Sequence, residues 1–85
     1  MKIAFAPSFI RTYKKLPDDL KEEVKEKIGL FRKDPDHPFL KTHKLKGRLK
    51  GRYSFSVSYK DRIVFIYGGP DEAILLAVDD HDIYK

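Results

Sequence analysis

The sequence predicts an α+β domain in which a helical hairpin packs on one face of a four-stranded, mainly antiparallel sheet. Two observations lead to this prediction. Residues 1–33 hold one short alternating run followed by two apolar stripes at helical spacing. Residues 53–78 hold three runs typical of strands, separated by short turns. The predicted element order is β-α-α-β-β-β, and 85 residues leave room for one domain, 1–85.

The N-terminal strand and first helix are predicted from periodicity. Residues 1–6 alternate with period two and place Ile3 and Phe5 on one face. A helix is expected to begin at Pro7, because the missing N–H of proline costs nothing in a first helical turn. The apolar stripe of this helix consists of Phe9, Tyr13 and Leu16.

A second helix is predicted from Pro17, which ends the first helix and opens the next. Asp18 and Asp19 then lie in the first turn, where negative charge meets the positive end of the helix dipole. The helix is expected to end near Lys33, before the turn-forming segment Asp34-Pro-Asp-His-Pro. Its apolar face consists of Leu20, Val24, Ile28 and Phe31.

The remaining strands form a predicted meander. Residues 53–59 alternate between apolar and serine positions, residues 62–67 are mostly apolar and therefore central, and residues 73–78 form another buried strand. Lys60 and Asp61 are expected to make the turn after the first of these strands. The serine face is expected to be open, because the helices cover the other face. It carries Ser54, Ser56 and Ser58.

Charge is unevenly distributed along the chain. The net charge of +5 is the sum of +4 from residues 1–33, +5 from residues 34–62 and −4 from residues 63–85. Residues 41–52, the basic run, hold six Lys or Arg among twelve positions and no acid. A dense cationic segment joined directly to a strand is typical of a rigid surface for a polyanion.

The composition also narrows the class of protein. Cysteine is absent, which excludes disulfides and thiolate metal sites. No apolar run approaches the roughly 20 residues that span a bilayer, and the N-terminus lacks the pattern of a signal peptide. A cytoplasmic protein is therefore expected.

Several short motifs in this order resemble the toxins of the RelE/ParE superfamily, and the RelE/YafQ branch in particular. The resemblance covers nearly the whole chain and combines these motifs with the β-α-α-β-β-β order. The motifs are Leu16-Pro17, Asp34-Pro35, His43-Lys-Leu-Lys-Gly47, Lys50-Gly51-Arg52-Tyr53, Asp61-Arg62-Ile-Val-Phe-Ile-Tyr67 and His81-Asp-Ile-Tyr84.

This resemblance implies the toxin of a bacterial type II toxin–antitoxin system, with a cognate antitoxin as partner. RelE-like toxins cleave mRNA on the ribosome without a metal, whereas ParE-like toxins inhibit DNA gyrase and need no nuclease site. Two further interpretations therefore stay open beside the nuclease: a ParE-like gyrase inhibitor, and a basic RNA-binding module without cleavage activity.

The residue types needed for RNA cleavage are present. Attack by a 2′-OH requires a base, an acid for the leaving 5′-oxygen, and a cation for the charge on the phosphorane. Histidine suits the proton transfers, and the guanidinium fork of arginine suits the charge. The candidate catalytic residues are His43, Arg62, His81 and Tyr84. No metal or cofactor is expected.

The resemblance assigns these residues by position. Arg62 matches the family's phosphate-stabilising arginine, His43 matches the histidine of the YafQ-like motif, and His81 with Tyr84 resembles the C-terminal histidine and aromatic residue. Two departures stand out. Ser54 and Ser56 occupy the positions of two RelE strand lysines, and His81 lies three residues before Tyr84, where four is commoner.

The sequence also leaves simpler interpretations of these residues. Arg62 could pair with Asp61 or Asp79 at a sheet edge, and Tyr53 and Tyr59 could either stack on bases or belong to the core. Asp79, Asp80, His81 and Asp82 are a competing candidate for a Mg²⁺ site, although consecutive residues of an extended segment rarely converge. Phosphate contacts are expected from Lys41, Lys44, Lys46, Arg48, Lys50 and Arg52.

Overall fold

A computed structural model of the protein describes residues 1–80. These 80 residues form two α-helices, five strands and two single turns of 3₁₀ helix at Pro38–Leu40 and Gly47–Leu49. Within residues 1–80, no helix is both long and apolar enough to cross a membrane. The elements in chain order are β1 (Lys2–Phe5), α1 (Pro7–Lys14), α2 (Asp18–Lys33), β2 (His43–Lys44), β3 (Tyr53–Ser56), β4 (Asp61–Gly69) and β5 (Glu72–Asp80).

The sheet order is β1-β5-β4-β3-β2. β1 runs parallel to β5, and every other neighbouring pair is antiparallel. The predicted α+β class and the helical hairpin are confirmed, but the predicted count of four strands is wrong. The additional strand is β2, whose two residues pair with Tyr53 and Ser54. Two residues are too few to produce a periodic pattern, so this strand left no signal in the sequence.

The turn between β3 and β4 lies earlier than predicted. β3 ends at Ser56, residues 57–60 form the turn, and Asp61 begins β4. The amides of Val57 and Ser58 both donate to the carbonyl oxygen of Asp61, at 3.0 and 3.2 Å. These bonds close the connection immediately after Ser56, although the alternation of residue types continues as far as Tyr59.

Three phenylalanines join the helices to the sheet. Phe31 of α2 stacks on Phe55 of β3 with ring centroids 4.4 Å apart, and it meets Phe65 of β4 edge-on at 4.9 Å. All three side chains are fully buried. Aromatic pairs at these separations stabilise the core beyond their buried area. This contact fixes one face of the sheet against the helices and leaves the opposite face for other uses.

Beyond the end of β1, helix α1 forms hydrogen bonds with the edge of β5. β1 pairs with β5 only as far as Leu75. Beyond that point, Ser8 Oγ donates to the carbonyl oxygen of Leu76 at 2.6 Å, and the Val78 amide donates to Thr12 Oγ1 at 3.1 Å. Two side chains of α1 thus satisfy backbone groups of a strand edge that has lost its neighbour.

Replacing Thr12 by Val is expected to destabilise the protein by about 1–3 kcal/mol, because the part-buried Val78 amide loses its acceptor. Thr12→Ser keeps the hydroxyl and serves as the control. Urea denaturation measures the loss, and hydrogen exchange of the Val78 amide localises it. Equal stability of the Val and Ser variants would contradict this role.

Candidate active site

Arg62 occupies the centre of the sheet. Its Cα lies opposite Ser56 of β3 and Asp79 of β5, so all three side chains project from the same face. The edge position in the simpler interpretation of Arg62 is wrong, because β4 has a neighbour on each side, but Asp79 does lie directly opposite Arg62. The side chain is 8% exposed, which is unusual for an arginine.

His43 reaches the same face from β2. It pairs with Ser54 of β3, and Ser54 pairs in turn with Val64 of β4. Val64 is two residues from Arg62 along the strand, so its side chain is on the same face as that of Arg62. Two strand spacings and two residue steps separate the Cα atoms of His43 and Arg62 by about 12 Å. Both side chains are long enough to approach one small group bound between them.

The two residues line one hollow of about 200 Å³, here named the serine hollow. Its walls come from the segment before β2, from β2 and β3, and from the turn into β4. The hollow is lined by Lys41, His43, Ser54, Ser56, Ser58, Tyr59, Lys60, Asp61 and Arg62. Its volume exceeds the roughly 30 Å³ that one water occupies in the liquid. The hollow is therefore large enough for a phosphate-sized anion, and its lining combines three serine hydroxyls and three cations with one carboxylate, that of Asp61.

The serine face is not open as predicted. Ser54 is only 1% exposed, and Arg62 is also buried. Ser54 lies inside the serine hollow. The exposed side chains of His43, Tyr59 and Lys60 also line this hollow. This part of the face is therefore recessed.

One hydrogen bond determines the tautomer of His43. Its Nδ1 lies 2.9 Å from the carbonyl oxygen of Lys41. Because a carbonyl oxygen only accepts, Nδ1 carries the hydrogen, and the neutral ring presents an unprotonated Nε2. Lys41 has a left-handed backbone with φ of 48°, a conformation that non-glycine residues seldom adopt. This backbone conformation belongs to the residue whose carbonyl oxygen accepts the hydrogen bond from His43 Nδ1.

Asp61 and Lys60 also line the serine hollow, although the sequence predicted only a turn for them. Asp61 Oδ2 accepts a hydrogen bond of 2.8 Å from Ser58 Oγ, which holds the carboxylate across the turn. Their position directly before Arg62 was the only available signal. It was insufficient because neighbouring residues of a strand normally face opposite ways.

His81 and Tyr84, the other two predicted catalytic residues, lie outside the described residues. Of the proposed Mg²⁺ ligands, Asp79 and Asp80 belong to β5, and His81 and Asp82 lie outside the described part. Within residues 1–80 there is no group of three or more His, Cys, Asp or Glu arranged to hold a metal ion.

The basic run borders the serine hollow and forms a second one. Lys44, Lys46 and Lys50 line a hollow of about 400 Å³, here named the lysine hollow, together with Gly47 and Gly51. The two glycines have φ of 68° and 89°, which L-residues rarely adopt. All six cations of the run are exposed, including Lys41, Arg48 and Arg52.

Tyr53 and Tyr67 belong to a separate aromatic group near the other end of β4. Their ring centroids are 4.8 Å apart, and Tyr53 also stacks on Phe65 at 5.7 Å. Burial raises the pKa of Tyr67 above its ordinary value, and Tyr53 and Asp36 act in the same direction. The phenol of Tyr67 is therefore neutral at physiological pH. Tyr53 packs against the core, as one of its two interpretations predicted.

Three solved structures share this architecture over nearly their full length. YafQ from E. coli strain BL21(DE3) matches with a TM-score of 0.78 at 15% identity, covering 98% of this chain and 96% of that one. A chain of the RelBE2 toxin–antitoxin complex from Mycobacterium tuberculosis gives 0.76 at 21% identity, covering 93% and 95%. The YoeB/ParE toxin from Agrobacterium tumefaciens gives 0.75 at 20% identity, covering 95% and 99%.

The chain has the α+β fold of these RelE-like toxin structures. Comparison by sequence with protein-family models and with curated proteins found no match. The likeness therefore rests on the three-dimensional arrangement of the elements, and it establishes a RelE-like fold.

The hydrogen bonds predict opposite tautomers for two histidines. His43 Nδ1 faces a carbonyl oxygen, whereas His37 Nδ1 accepts from the Phe39 amide at 3.1 Å. Long-range ¹H–¹⁵N NMR spectra of the neutral rings are expected to place the hydrogen on Nδ1 of His43 and on Nε2 of His37. The same tautomer at both positions would contradict the geometry of the site.

Proposed function

We propose that this protein is the toxin of a type II toxin–antitoxin system and that it cleaves ribosome-bound mRNA in the cytoplasm without a metal ion. The observation that carries this proposal is the serine hollow, in which His43 and Arg62 share one anion-sized space. A gyrase inhibitor has no need for an imidazole and a buried guanidinium around such a space. The RelE/ParE fold is compatible with either activity.

The cleavage step assigns a role to each group. The 2′-oxygen of the message attacks the adjacent phosphorus, forming the O2′–P bond while the P–O5′ bond breaks. His43 Nε2 takes the proton of the 2′-OH, since its tautomer leaves that nitrogen unprotonated. Arg62 donates to the phosphoryl oxygens as negative charge develops on them. The leaving 5′-oxygen takes a proton from His81 or Tyr84, the candidates predicted from the sequence.

The positive charge of the site comes from residues other than those of the RelE type. Ser54 and Ser56 stand where two strand lysines are expected, yet Lys41 and Lys60 line the same hollow. Cations from the flanking loop and turn thus supply the charge that the strand lacks. The serine hydroxyls add donors that can bind phosphoryl oxygens without changing the net charge.

The exposed basic run would hold the RNA backbone on either side of the cut. Its cations interact with phosphates irrespective of sequence, so they position the message and select no particular base. The lysine hollow places three of them around one concave surface. This arrangement suits a phosphate of a neighbouring nucleotide.

An antitoxin is proposed as the protein partner. Toxin–antitoxin complexes occur among the structural neighbours. Besides the basic surface, this chain has an apolar groove of about 350 Å³ between α1 and α2, with Phe5 and Ile10 exposed and Lys25 and Arg32 also lining it. An amphipathic, acidic antitoxin segment is complementary to both features.

The decisive experiment is single-turnover cleavage of mRNA on programmed ribosomes. His43→Gln is expected to reduce the rate by about 10²- to 10⁴-fold through loss of the general base. Arg62→Lys is expected to cost about 10²- to 10³-fold, because an ammonium lacks the bidentate fork. Cleavage by the wild-type protein should persist in EDTA under conditions that keep ribosomes intact.

His37→Gln is the matched control, since His37 caps the turn at Pro38–Leu40 and lies outside the serine hollow. Circular dichroism establishes that each variant is folded. Unchanged cleavage by the His43 and Arg62 variants would overturn the proposed roles. A stalled gyrase–DNA complex without any effect on translation would instead favour a ParE-like activity.

A second prediction concerns the lysine hollow. Lys46→Gln with Lys50→Gln is expected to weaken RNA binding and to reduce the slope of log K against log[salt] by about 1.4, at roughly 0.7 per phosphate contact on a single strand. Lys14→Gln with Lys15→Gln, on the exposed surface at the end of α1, is the charge-matched control. Equal slopes for the two double variants would show that RNA does not follow the basic run.

A further inference from the structure

Tyr59 is the most exposed large apolar side chain in the described part of the protein. It is exposed to 104% of the reference area, so folding buries none of its ring. It nevertheless lines the serine hollow, beside Lys60. An aromatic ring normally contributes to stability by leaving water. Core packing therefore does not account for the position of Tyr59, and its place at the serine hollow leaves the whole ring available for contact with a ligand there.

The segment that carries Tyr59 is held by three hydrogen bonds. The amides of Val57 and Ser58 donate to the carbonyl oxygen of Asp61 at 3.0 and 3.2 Å, and Ser58 Oγ donates to Asp61 Oδ2 at 2.8 Å. Val57 is also buried in the core. The backbone that carries Tyr59 is thus fixed at the rim of the hollow, so little backbone entropy is lost when a ligand binds against the ring.

We propose that Tyr59 is a stacking platform for one unpaired nucleobase of single-stranded RNA whose phosphate occupies the serine hollow. This inference rests on the proposed function, because it takes RNA as the occupant. The neighbouring groups match both parts of a nucleotide. Arg62, Lys41 and Lys60 provide charge for the phosphate, and the tyrosine provides a flat surface for the base.

Stacking of this kind tolerates any base, because every base has a π-face. The contribution expected from the ring is about 5- to 150-fold in affinity, the range measured for base–aromatic contacts. Tyr59 would act as a positioning residue: it holds the nucleotide beside the reacting phosphate and takes no part in proton transfer. Loss of the ring should therefore raise KM more than it lowers kcat.

Tyr59→Trp provides a direct probe of this contact, because the chain contains no tryptophan. The probe ligand is a short single-stranded RNA carrying 2′-O-methyl groups, which cannot be cleaved by 2′-OH attack. Stacking on the indole is expected to quench its fluorescence in a saturable manner. Tyr67→Trp is the control, because Tyr67 is also partly exposed but lies near the opposite end of β4 from Arg62. This variant should show little quenching.

Affinity for the same RNA, measured by fluorescence anisotropy with a labelled strand, gives the second readout. Tyr59→Phe keeps the ring and should bind like the wild type, whereas Tyr59→Leu should bind about 5- to 150-fold more weakly. The ring is fully exposed, so neither change should alter the fold. Equal binding by the Phe and Leu variants, or unchanged indole fluorescence of the Tyr59→Trp variant at saturating RNA, overturns the inference.

The two proposals fail separately in these experiments. Quenching and weaker binding by Tyr59→Leu, together with absent cleavage, would support the stacking platform and contradict the nuclease. Cleavage that is normal in Tyr59→Leu at subsaturating message would support the nuclease and contradict the platform. Quenching by a protein partner with none by RNA would assign the ring to a protein interface and overturn the inference.

Discussion

The burial of a guanidinium at the centre of the sheet constrains the rest of the structure. A charged group removed from water costs several kcal/mol unless polar groups surround it. Arg62 is 8% exposed, and the strand register provides Ser56 on one side and Asp79 on the other. The face around Arg62 must therefore be polar and recessed. The serine hollow provides these polar surroundings.

The opposite face of the same strands must be apolar, because the helices cover it. Phe55 and Phe65 pack under Phe31 of α2, so the alternation of the strands separates an aromatic core from a polar site one residue away. A shift of register by one residue would exchange the two faces and bury charge in the core. Stability and site geometry consequently depend on the same pairing between β3, β4 and β5.

Long periodic segments of this protein were predictable, and short ones were not. Both helices and the strand that begins near Arg62 follow from spacing and composition, since each contains enough residues to show a period. The two-residue strand that carries His43, the early turn before Asp61 and the burial of Ser54 depend on long-range pairing and backbone hydrogen bonds. No local pattern encodes these, although they decide which candidates share one hollow. The placement of Lys60 and Asp61 in the site has the same origin.

The proposed chemistry depends above all on His43 and Arg62 binding the same phosphate. This is tested most directly by following the side-chain ¹⁵N signals of both residues in NMR spectra while a 2′-O-methyl RNA is added. We expect the ring nitrogens of His43 and Nε of Arg62 to shift together and to saturate with one dissociation constant. Shifts at only one of the two, or shifts confined to α1 and α2, would contradict a shared phosphate.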